Sequence, residues 1–499
     1  MAKQTTGFEV SIALEYSGKP AYRRLSAALR AEILEGRLAP GARLPATRDI
    51  AGRYGLSRGT IVSAFEELKA EGYVEGSVGS GTYVSRVLPD HLLQTRPAAR
   101  RAPLVLPVEN RRMSDYAKRV NPFTGFERRV TRAFRANLPA LDLFPVTLWS
   151  RISARRERRA TTNMLLGCDA MGYQPLREAV ANYLSAARGV RCVPEQIAIV
   201  SGVQEALDLA ARLFLNPGDT VCMEDPGYSG ARLVFQAVGA KVVAARVDDQ
   251  GINPGASCLR GARLIYVTPG HQFPLGITMS LPRRLQLLEW ARHAGALIFE
   301  DDYDSEYRYS GRPVPALQGL DRRGLVLFAG SFSKVLFPSL RLGYLVIPSD
   351  LVDHFAASIS ITARHAPVLD QAVLCDFIAE GHFGRHLRRM RQVYAERLSV
   401  LLEVARKRMA GLLEVSSIEA GLQTVGWLGA GINGESASKA AAKRDVEVTP
   451  LSRYSMEPLE REGLQLGFAG VDAREIRRGV QELGFVLESE AKAARLRKN

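Results

Sequence analysis

The feature that most limits how this 499-residue chain can fold is a series of short apolar runs separated by amphipathic stretches. The series begins at about residue 126, and its clearest members are QIAIVS (196–201), TVCMED (220–225), RLIYVT (263–268), ALIFED (296–301) and GLVLFA (324–329). The intervening stretch LPRRLQLLEWARHAG has the apolar spacing of a helix. This alternation predicts an α/β fold, with a largely parallel sheet covered by helices.

Polar residues stand at the carboxyl ends of these runs. In an open α/β sheet, ligands bind beyond the carboxyl ends of the strands. We therefore expect one binding site that gathers the residues at the five ends, which are Ser201, Asp225, Thr268, Asp301 and Ser331.

The first 85 residues follow a different pattern. Apolar spacing and capping residues predict a helix over 19–36, a helix capped by Thr47 and ended by Gly55, a helix capped by Ser57 and ended by Gly72, and a β-hairpin over 73–85. This order of elements predicts a winged helix-turn-helix domain over 15–85. The stretch 86–125 is rich in proline and lacks periodicity, so we expect a linker there and a second domain over 126–490.

A winged helix-turn-helix suggests double-stranded DNA as a partner, and the net charge of +15 is compatible with a polyanion. The second helix of the motif places its first residues at the base edges, while nearby cations and wing amides contact phosphates. The alternative is a solvated basic face on a small helical domain. The candidate DNA contacts are Ser57, Arg58, Thr60 and Ser63 for the bases, and Arg43, Arg48, Gly79 and Gly81 for the phosphates.

Composition argues against several other classes of protein. Apolar residues make up 46% of the chain and charged residues 24%, as in soluble globular proteins. No run of about 18 apolar residues is present to span a membrane, and the N-terminus lacks the pattern of a signal peptide. The five cysteines are widely spaced, which argues against a disulfide framework or a zinc site. We expect a cytoplasmic protein with no bound metal.

The segment SFSKVLFPSLRLGY (331–344) places Lys334 among small hydroxyl residues after the last apolar run. A lysine after a strand is more often a surface residue, but neighbouring strand ends supply the other groups that pyridoxal phosphate requires. That cofactor needs an amine for a Schiff base, an acid at the pyridine nitrogen, a phosphate site and a group stacked on its ring. Lys334 and Asp301 can supply the amine and the acid. Tyr228 can stack on the ring, and Tyr303 can donate to its phenolic oxygen.

The phosphate candidates lie in two segments. The helix start in SGVQEALDL offers backbone amides, close approach at Gly202 and a side-chain donor at Gln204. Ser331 and Arg341 can complete the phosphate site, since arginine suits a bidentate contact. A Rossmann site is disfavoured because G-x-G-x-x-G does not occur there. Each candidate alone can be a turn, a cap or a loop residue, and it is their conjunction that favours pyridoxal phosphate.

Both parts of the chain resemble known families. The segment from RAEILEG to GSGTYV resembles the DNA-binding domain of GntR-type regulators. From about 126 to 487, phrases such as SGVQEALDL, EDPGY, EDDYDSEYRY and SFSKVLFPSLRLGY are similar to fold-type I aminotransferases, and the combination resembles MocR-type transcriptional regulators. The resemblance implies a Schiff base at Lys334, a ring-nitrogen contact from Asp301 and phosphate contacts from the amides of Val203 and Gln204. It also implies a head-to-tail homodimer on two half-sites of operator DNA.

Two departures from the aminotransferase pattern bear on the ligand. Phe273 stands where those enzymes carry an asparagine, which leaves His271 or Gln272 to contact the ring. Gln465 stands where many of them bind the substrate carboxylate through an arginine. Either the effector lacks an α-carboxylate, or it binds one through Arg232 or Arg453.

Two functions remain open at this point. The favoured one is a transcriptional regulator that senses an amine, an amino-acid-like effector or pyridoxal phosphate itself. The alternative is an active or bifunctional aminotransferase with a DNA-binding domain, since the cofactor residues needed for catalysis are all present. A fixed carboxylate clamp favours transamination of amino acids, so Gln465 argues against the alternative.

Overall fold

The computed structural model describes residues 20–77, 81–88, 112–123, 132–255, 257–309 and 314–498. The chain divides into two compact units, Met1–Arg111 and Arg112–Asn499. This division falls inside the stretch that the sequence predicts to be a linker.

The first unit contains the elements of a winged helix-turn-helix. They are α1 (Ala21–Leu34), α2 (Thr47–Tyr54), α3 (Arg58–Ala70), β1 (Val74–Ser77) and β2 (Gly81–Val84). The two strands pair antiparallel. Ser57 caps α3 as predicted, because its Oγ accepts a hydrogen bond from the backbone N–H of Thr60. Thr47 does not cap α2; it is the first helical residue, and Ala46 occupies the cap position without a side-chain bond.

The second unit is built on a large mixed sheet. Its strands are β3 (Ile197–Val200), β4 (Thr220–Asp225), β5 (Lys241–Asp248), β6 (Gly251–Ile252), β7 (Ala262–Val267), β8 (Leu297–Asp302), β9 (Val326–Ser331) and β10 (Gly343–Val346). They lie in the order β3-β10-β9-β8-β7-β4-β5-β6. The central pairs from β9 through β5 are parallel, whereas β10 runs antiparallel to both β3 and β9. The predicted largely parallel sheet is confirmed, and the five apolar runs form β3, β4, β7, β8 and β9.

Helices and a second sheet complete this unit. The helices are α4 (Asp115–Arg119), α5 (Val146–Arg158), α6 (Thr162–Leu166), α7 (Gln174–Arg188), α8 (Val203–Phe214), α9 (Ser229–Ala237), α10 (Leu281–Ala294), α11 (Leu317–Leu320), α12 (Phe332–Val335), α13 (Val352–Thr362), α14 (Val368–Ala379), α15 (His382–Arg408), α16 (Gly434–Ala442) and α17 (Ala473–Lys498). The smaller antiparallel sheet contains β11 (Leu413–Val415), β12 (Gln423–Leu428), β13 (Thr449–Pro450) and β14 (Gly463–Gly467).

The central strands are buried along nearly their whole length, which requires apolar helices on both faces. That burial explains why the strands read as continuous apolar runs and not as alternating ones. Among the described helices, none combines the length and apolar character needed to cross a bilayer.

Candidate functional site

A cavity of about 520 Å³ lies at the carboxyl ends of the parallel strands. It brings together residues from β8, β9, the start of α8 and the loop before α9, which are distant in the sequence. The predicted cofactor residues that line it are Gly202, Val203, Gln204, Tyr228, Asp301, Tyr303, Ser331, Lys334 and Arg341.

Lys334 reaches the cavity from the short helix α12, directly after β9. Ser331 begins this helix, and its Oγ accepts a hydrogen bond from the N–H of Ser333. The Nζ of Lys334 donates to the backbone oxygen of Asn137 at 3.2 Å. Desolvation lowers the pKa of Lys334 to about 8, although the negative charge of Asp301 opposes this shift. The lowered pKa makes the neutral, nucleophilic amine far more abundant at neutral pH than it is for a solvated lysine.

Asp301 is the next-to-last residue of β8, and its two carboxylate oxygens have different surroundings. Oδ2 accepts a hydrogen bond of 2.7 Å from the hydroxyl of Tyr266. Oδ1 is buried and has no hydrogen-bond partner among the residues that the structure describes. Burial raises the pKa of Asp301 to about 7, against the opposing effect of the Tyr266 bond. This buried oxygen without a partner in the described residues can accept a hydrogen bond from an N–H group of a ligand in the cavity.

The opposite end of the cavity is suited to an anion. Gly202 has φ 137° and precedes α8, whose first backbone N–H groups face outward at the helix start. A Cβ at position 202 would lie 3.6 to 3.8 Å from the guanidinium of Arg341. Arg341 itself adopts a left-handed conformation, with φ 51°. Together with Ser331, these groups form a cradle for a phosphate.

Two tyrosines and a phenylalanine form the walls between these ends. The hydroxyl of Tyr228 accepts from Gln204 Nε2 at 3.3 Å. Phe273 lies edge-on to Tyr228, with ring centroids 5.8 Å apart, and edge-on to Tyr303 at 5.9 Å. The Tyr303 hydroxyl lies 3.0 Å from Nδ1 of His271.

His271 and Gln272 lie behind this wall and are not among the residues that line the cavity. Nδ1 of His271 is 2.9 Å from a carboxylate oxygen of the buried Asp304, so the imidazole positions Tyr303 from behind. Gln272 donates from Nε2 to the backbone oxygens of Pro226 and Phe273, which fixes the loop. Of these three neighbouring residues, only Phe273 lines the cavity.

None of the three predicted effector residues lines the cavity. Gln465 is fully buried on β14, where its Oε1 accepts from the Tyr454 hydroxyl at 2.7 Å. Arg453 is half-exposed and pairs through two nitrogens with Glu435, both at 2.8 Å. Neither Arg453 nor Arg232 is among the residues that line the cavity.

The expectation that all five strand ends form one site holds only for Asp301 and Ser331. Ser201 bonds to Glu205 within its own helix start. Asp225 accepts from the backbone N–H groups of residues 456 and 457, and Thr268 bonds to Glu224. These three residues are used to join loops, so their side chains are unavailable to a ligand.

Sequence reasoning missed several residues of the cavity wall. They are Phe123, Arg135, Ala136, Asn137, Tyr266, Glu447, Thr449 and Tyr454. Three of them lie in the irregular segment 135–137, where Asn137 has a positive φ of 62°. Tyr266 lies on β7, whose apolar run marked the strand but not its contact with the cavity, and Thr449 begins β13 of the smaller sheet.

In the first unit, the start of α3 carries the predicted base-contact residues. Ser57, Arg58 and Ser63 are exposed, and Thr60 is half-buried because its hydroxyl bonds to Ser57 Oγ at 2.8 Å. Val62, which sequence reasoning missed, is exposed on the same helix. An exposed aliphatic side chain of this kind can contact a thymine methyl group.

The phosphate candidates flank this helix within the same unit. Arg43 lies against the wing, where a Cβ at Gly81 would come within 2.9 Å of its Nε. Arg48 is largely exposed, with Asp49 as a distant neighbour at 3.6 Å. Gly79 lies outside the described residues. Arg43 and Arg48 are both exposed, as is Arg58 at the start of α3.

Two protein-family models match the chain. Residues 21–84 match the model described as bacterial regulatory proteins, gntR family, and residues 141–483 match that of aminotransferase class I and II. A probable rhizopine catabolism regulatory protein MocR of Rhizobium meliloti is 40% identical over 93% of both chains. The chain belongs to the MocR-type transcriptional regulators. The recognition made from the sequence is thereby confirmed for both domains.

Further relatives include both regulators and enzymes. This MocR-type chain is 34% identical to the HTH-type transcriptional regulator TauR of Rhodobacter capsulatus, over 74% of this chain and 76% of the relative. Among solved structures, LysN, an α-aminoadipate aminotransferase from Thermus thermophilus, is similar with a TM-score of 0.68 and 27% identity, over 76% of this chain and 98% of that one. It was solved with a phosphopyridoxyl-leucine. The large unit thus has the fold of pyridoxal phosphate-dependent aminotransferases.

Proposed function

We propose that this regulator binds pyridoxal phosphate in the cavity and changes its affinity for operator DNA when a small amine or amino-acid-like effector, or the cofactor itself, binds there. One observation carries the proposal. Lys334 Nζ and the buried Asp301 Oδ1, which has no partner in the described part of the chain, share one cavity in a chain that also carries a GntR domain.

The residues present fit the cofactor. Asp301 would hold the pyridine nitrogen through Oδ1, and Tyr303 would donate to the phenolic oxygen. Arg341, Ser331 and the amides of Val203 and Gln204 would hold the phosphate. Bound pyridoxal phosphate supplies an aldehyde that reacts reversibly with amines and a ring that withdraws electrons.

The same residues suggest how an effector is sensed. Within the cavity, the Lys334 amine donates to the carbonyl of Asn137, whose own N–H donates to Gln423 Oε1 at 2.8 Å. An effector amine that displaces Lys334 removes the hydrogen bond between its Nζ and the backbone oxygen of Asn137. A change of DNA affinity then requires that the effector bind one of two arrangements of the regulator more tightly than the other.

We further propose a head-to-tail homodimer whose two GntR domains read two half-sites. In this arrangement Arg43 and Arg48 contact phosphates, and Arg58, Thr60 and Ser63 contact base edges. The affinity for DNA should then fall steeply with salt, because phosphate contacts release counterions. Analytical ultracentrifugation of the free protein and of its DNA complex tests the dimer directly.

The test of the proposed function is the near-ultraviolet and visible absorbance of the purified full-length protein with added pyridoxal phosphate. We expect a band that is absent in Lys334→Ala and unchanged in Lys443→Ala, which removes an exposed lysine. A panel of amines and amino acids is then titrated in, and operator binding is followed in parallel. A compound that shifts the band stably and also changes DNA affinity supports a sensor. A band that does not depend on Lys334 contradicts the proposal.

Catalytic turnover is distinguished by the same titration. If the band decays with an amino acid and returns when a keto acid is added, the domain turns over. The regulator would then also act as an aminotransferase.

A further inference from the structure

Behind Tyr303, a buried carboxylate and a buried imidazole contact one another. Asp304 is fully buried, and its two carboxylate oxygens lie 2.9 and 3.1 Å from Nδ1 of His271. The same Nδ1 lies 3.0 Å from the hydroxyl of Tyr303. A Cβ at Gly421 would overlap the imidazole, so the ring fills the space that the fold leaves for it. Asp304, His271 and Tyr303 therefore form a continuous chain from the core to the cavity.

The position of Asp304 determines which nitrogen of His271 carries the proton. A carboxylate oxygen only accepts hydrogen bonds, so Nδ1 must be the nitrogen that bears a hydrogen. Nε2 is buried and has no hydrogen-bond partner among the described residues, so a proton there would be left without an acceptor. His271 is therefore held as the neutral tautomer with its proton on Nδ1.

This tautomer fixes the direction of the Tyr303 proton. Nδ1 donates to the Tyr303 oxygen, so the tyrosine cannot donate back to the imidazole. Burial and the charges of Asp304 and Asp301 raise the pKa of Tyr303 well above its ordinary value, so the hydroxyl keeps its proton. The Gln423 side chain opposes this shift in pKa, as a group that donates to the hydroxyl does, and its Oε1 is already bound by the N–H of Asn137. The Tyr303 proton is left to point into the cavity that this residue lines.

We propose that Asp304 and His271 are positioning residues that turn the Tyr303 proton toward the phenolic oxygen of the cofactor. Tyr303 then compensates for Phe273, which has no hydrogen-bonding group at the place where aminotransferases carry an asparagine. This inference rests on the proposed function, because it requires pyridoxal phosphate bound at Lys334.

The readout is the pH at which the Lys334-dependent absorbance band changes in the full-length protein loaded with pyridoxal phosphate. A donor on the phenolic oxygen stabilises the negative charge that remains when the nitrogen joined to the cofactor loses its proton, so loss of the donor raises this pH. We expect Tyr303→Phe to raise it by at least about one unit, the shift that corresponds to one hydrogen bond to a charged oxygen. His293→Leu, which removes an exposed histidine outside the cavity wall, should leave it unchanged.

Variants of His271 separate positioning from a merely structural role. His271→Leu removes the donor behind Tyr303 and should raise the band pH by less than Tyr303→Phe does. His271→Asn, whose amide nitrogen can lie near the place of Nδ1, should keep most of the unaltered value. The double variant His271→Leu with Tyr303→Phe should shift the pH no further than Tyr303→Phe alone, because His271 acts only through that hydroxyl. Additive shifts would overturn the inference.

Asp304→Asn gives the sharpest test, because it changes almost no volume. Oδ2 of Asp304 accepts from the backbone N–H of Leu422, which keeps the asparagine oxygen there and directs its amide N–H toward Nδ1. Nδ1 then becomes an acceptor, and the Tyr303 proton turns to it and away from the cavity, so the band pH should rise. Loss of the Asp304 charge alone would lower the band pH, because that charge opposes the fall in the Lys334 pKa that desolvation causes.

The outcomes separate this inference from the proposed function. A lower band pH in Asp304→Asn, or an unchanged one, would overturn the inference while leaving a Lys334-dependent band intact. Asp304→Asn remains decisive if His271→Leu fails to fold, which the thermal midpoint of each variant reports. A band that is absent from the unaltered protein, or that does not depend on Lys334, would overturn the proposed function as well.

Discussion

The two units of this regulator use charged residues in opposite ways. In the GntR domain, the arginines assigned to DNA lie at the surface, and ion pairs such as Arg37 with Glu32 are partly exposed. In the large unit, Arg188 and Asp302 form a pair with side chains only 7% and 2% exposed, and Lys334 and Asp301 face an enclosed cavity. An exposed charge can be removed with little effect on folding. Removal of a buried charge leaves its partner unpaired, so a change of function there also lowers stability.

The largest expected effect is the loss of the buried ion pair. Arg188 donates to both carboxylate oxygens of Asp302, at 2.7 and 3.0 Å. Arg188→Met leaves a buried carboxylate close to the acidic Glu306, and such a loss costs about 3–5 kcal/mol. We expect a clear fall in the thermal midpoint of the large unit, measured by calorimetry.

The control for this prediction comes from the other unit. Arg48→Met removes an arginine whose side chain is 84% exposed and should leave the thermal midpoint nearly unchanged. The double variant Arg188→Met with Asp302→Leu should recover much of the loss, because no charge is then left unpaired. If Arg188→Met were as stable as the unaltered protein, the contrast between the two units would fail.

The next effect is on DNA recognition. Arg58 is exposed at the start of α3, so Arg58→Ala should fold normally and lose about 1–3 kcal/mol of discrimination between specific and random duplexes. The preferred sequence is first selected from a random duplex library, and affinities are then measured by fluorescence anisotropy.

The matched control is Lys69→Ala, at the other end of the same helix, where one exposed positive charge is also removed. It should weaken binding to all sequences by a similar factor. Equal sequence preference in Arg58→Ala and the unaltered protein would show that α3 is not the recognition helix. If Arg58→Ala had a lower thermal midpoint than the unaltered protein, this exposed arginine would contribute to stability. The contrast between the exposed and the buried charges would then be wrong.

The sequence allowed much of this structure to be predicted, for identifiable reasons. Buried parallel strands must be apolar along their length, so the runs before Asp301 and Ser331 marked both the sheet and the edge that carries the cavity. Ser57 could be predicted as a helix cap because its Oγ bonds to the N–H of Thr60, only three positions further along the chain. Lys334 was predicted because other strand ends supply the remaining groups that pyridoxal phosphate requires, and it lines the same cavity as Asp301 and Arg341.

The remainder of the cavity depends on contacts that no local pattern encodes. Asn137 and Arg135 enter from an irregular segment, and Glu447 and Tyr454 come from the loops on either side of β13. Arg453 was a reasonable candidate by residue type, but a nearby glutamate on α16 pairs with it outside the cavity lining. His271 lies in the same loop as Phe273, but its ring contacts Asp304 and Tyr303 behind the wall, and Phe273 lines the cavity.

The smallest expected effect is a pH dependence of the rate at which Lys334 captures the cofactor. It arises because Lys334 is buried at the cavity, and the exposed arginines have no corresponding effect. Desolvation lowers the pKa of Lys334 to about 8 in the protein without cofactor. The neutral amine is the reactive form, so its fraction, and the rate of cofactor capture, should rise about tenfold between pH 7 and pH 9 and then level off. Stopped-flow absorbance after mixing with pyridoxal phosphate measures this rate.

The reference reaction is that of Nα-acetyl-lysine with pyridoxal phosphate under the same conditions. Its amine is fully solvated, so its neutral fraction continues to rise up to a pH of about 10.4. Dividing the protein rate by the reference rate removes the titration of the cofactor itself and isolates the lysine. The ratio should be greatest at neutral pH and fall as the pH increases. A constant ratio would mean that Lys334 is as well solvated as a surface lysine, and that the cavity does not prepare this amine for its reaction.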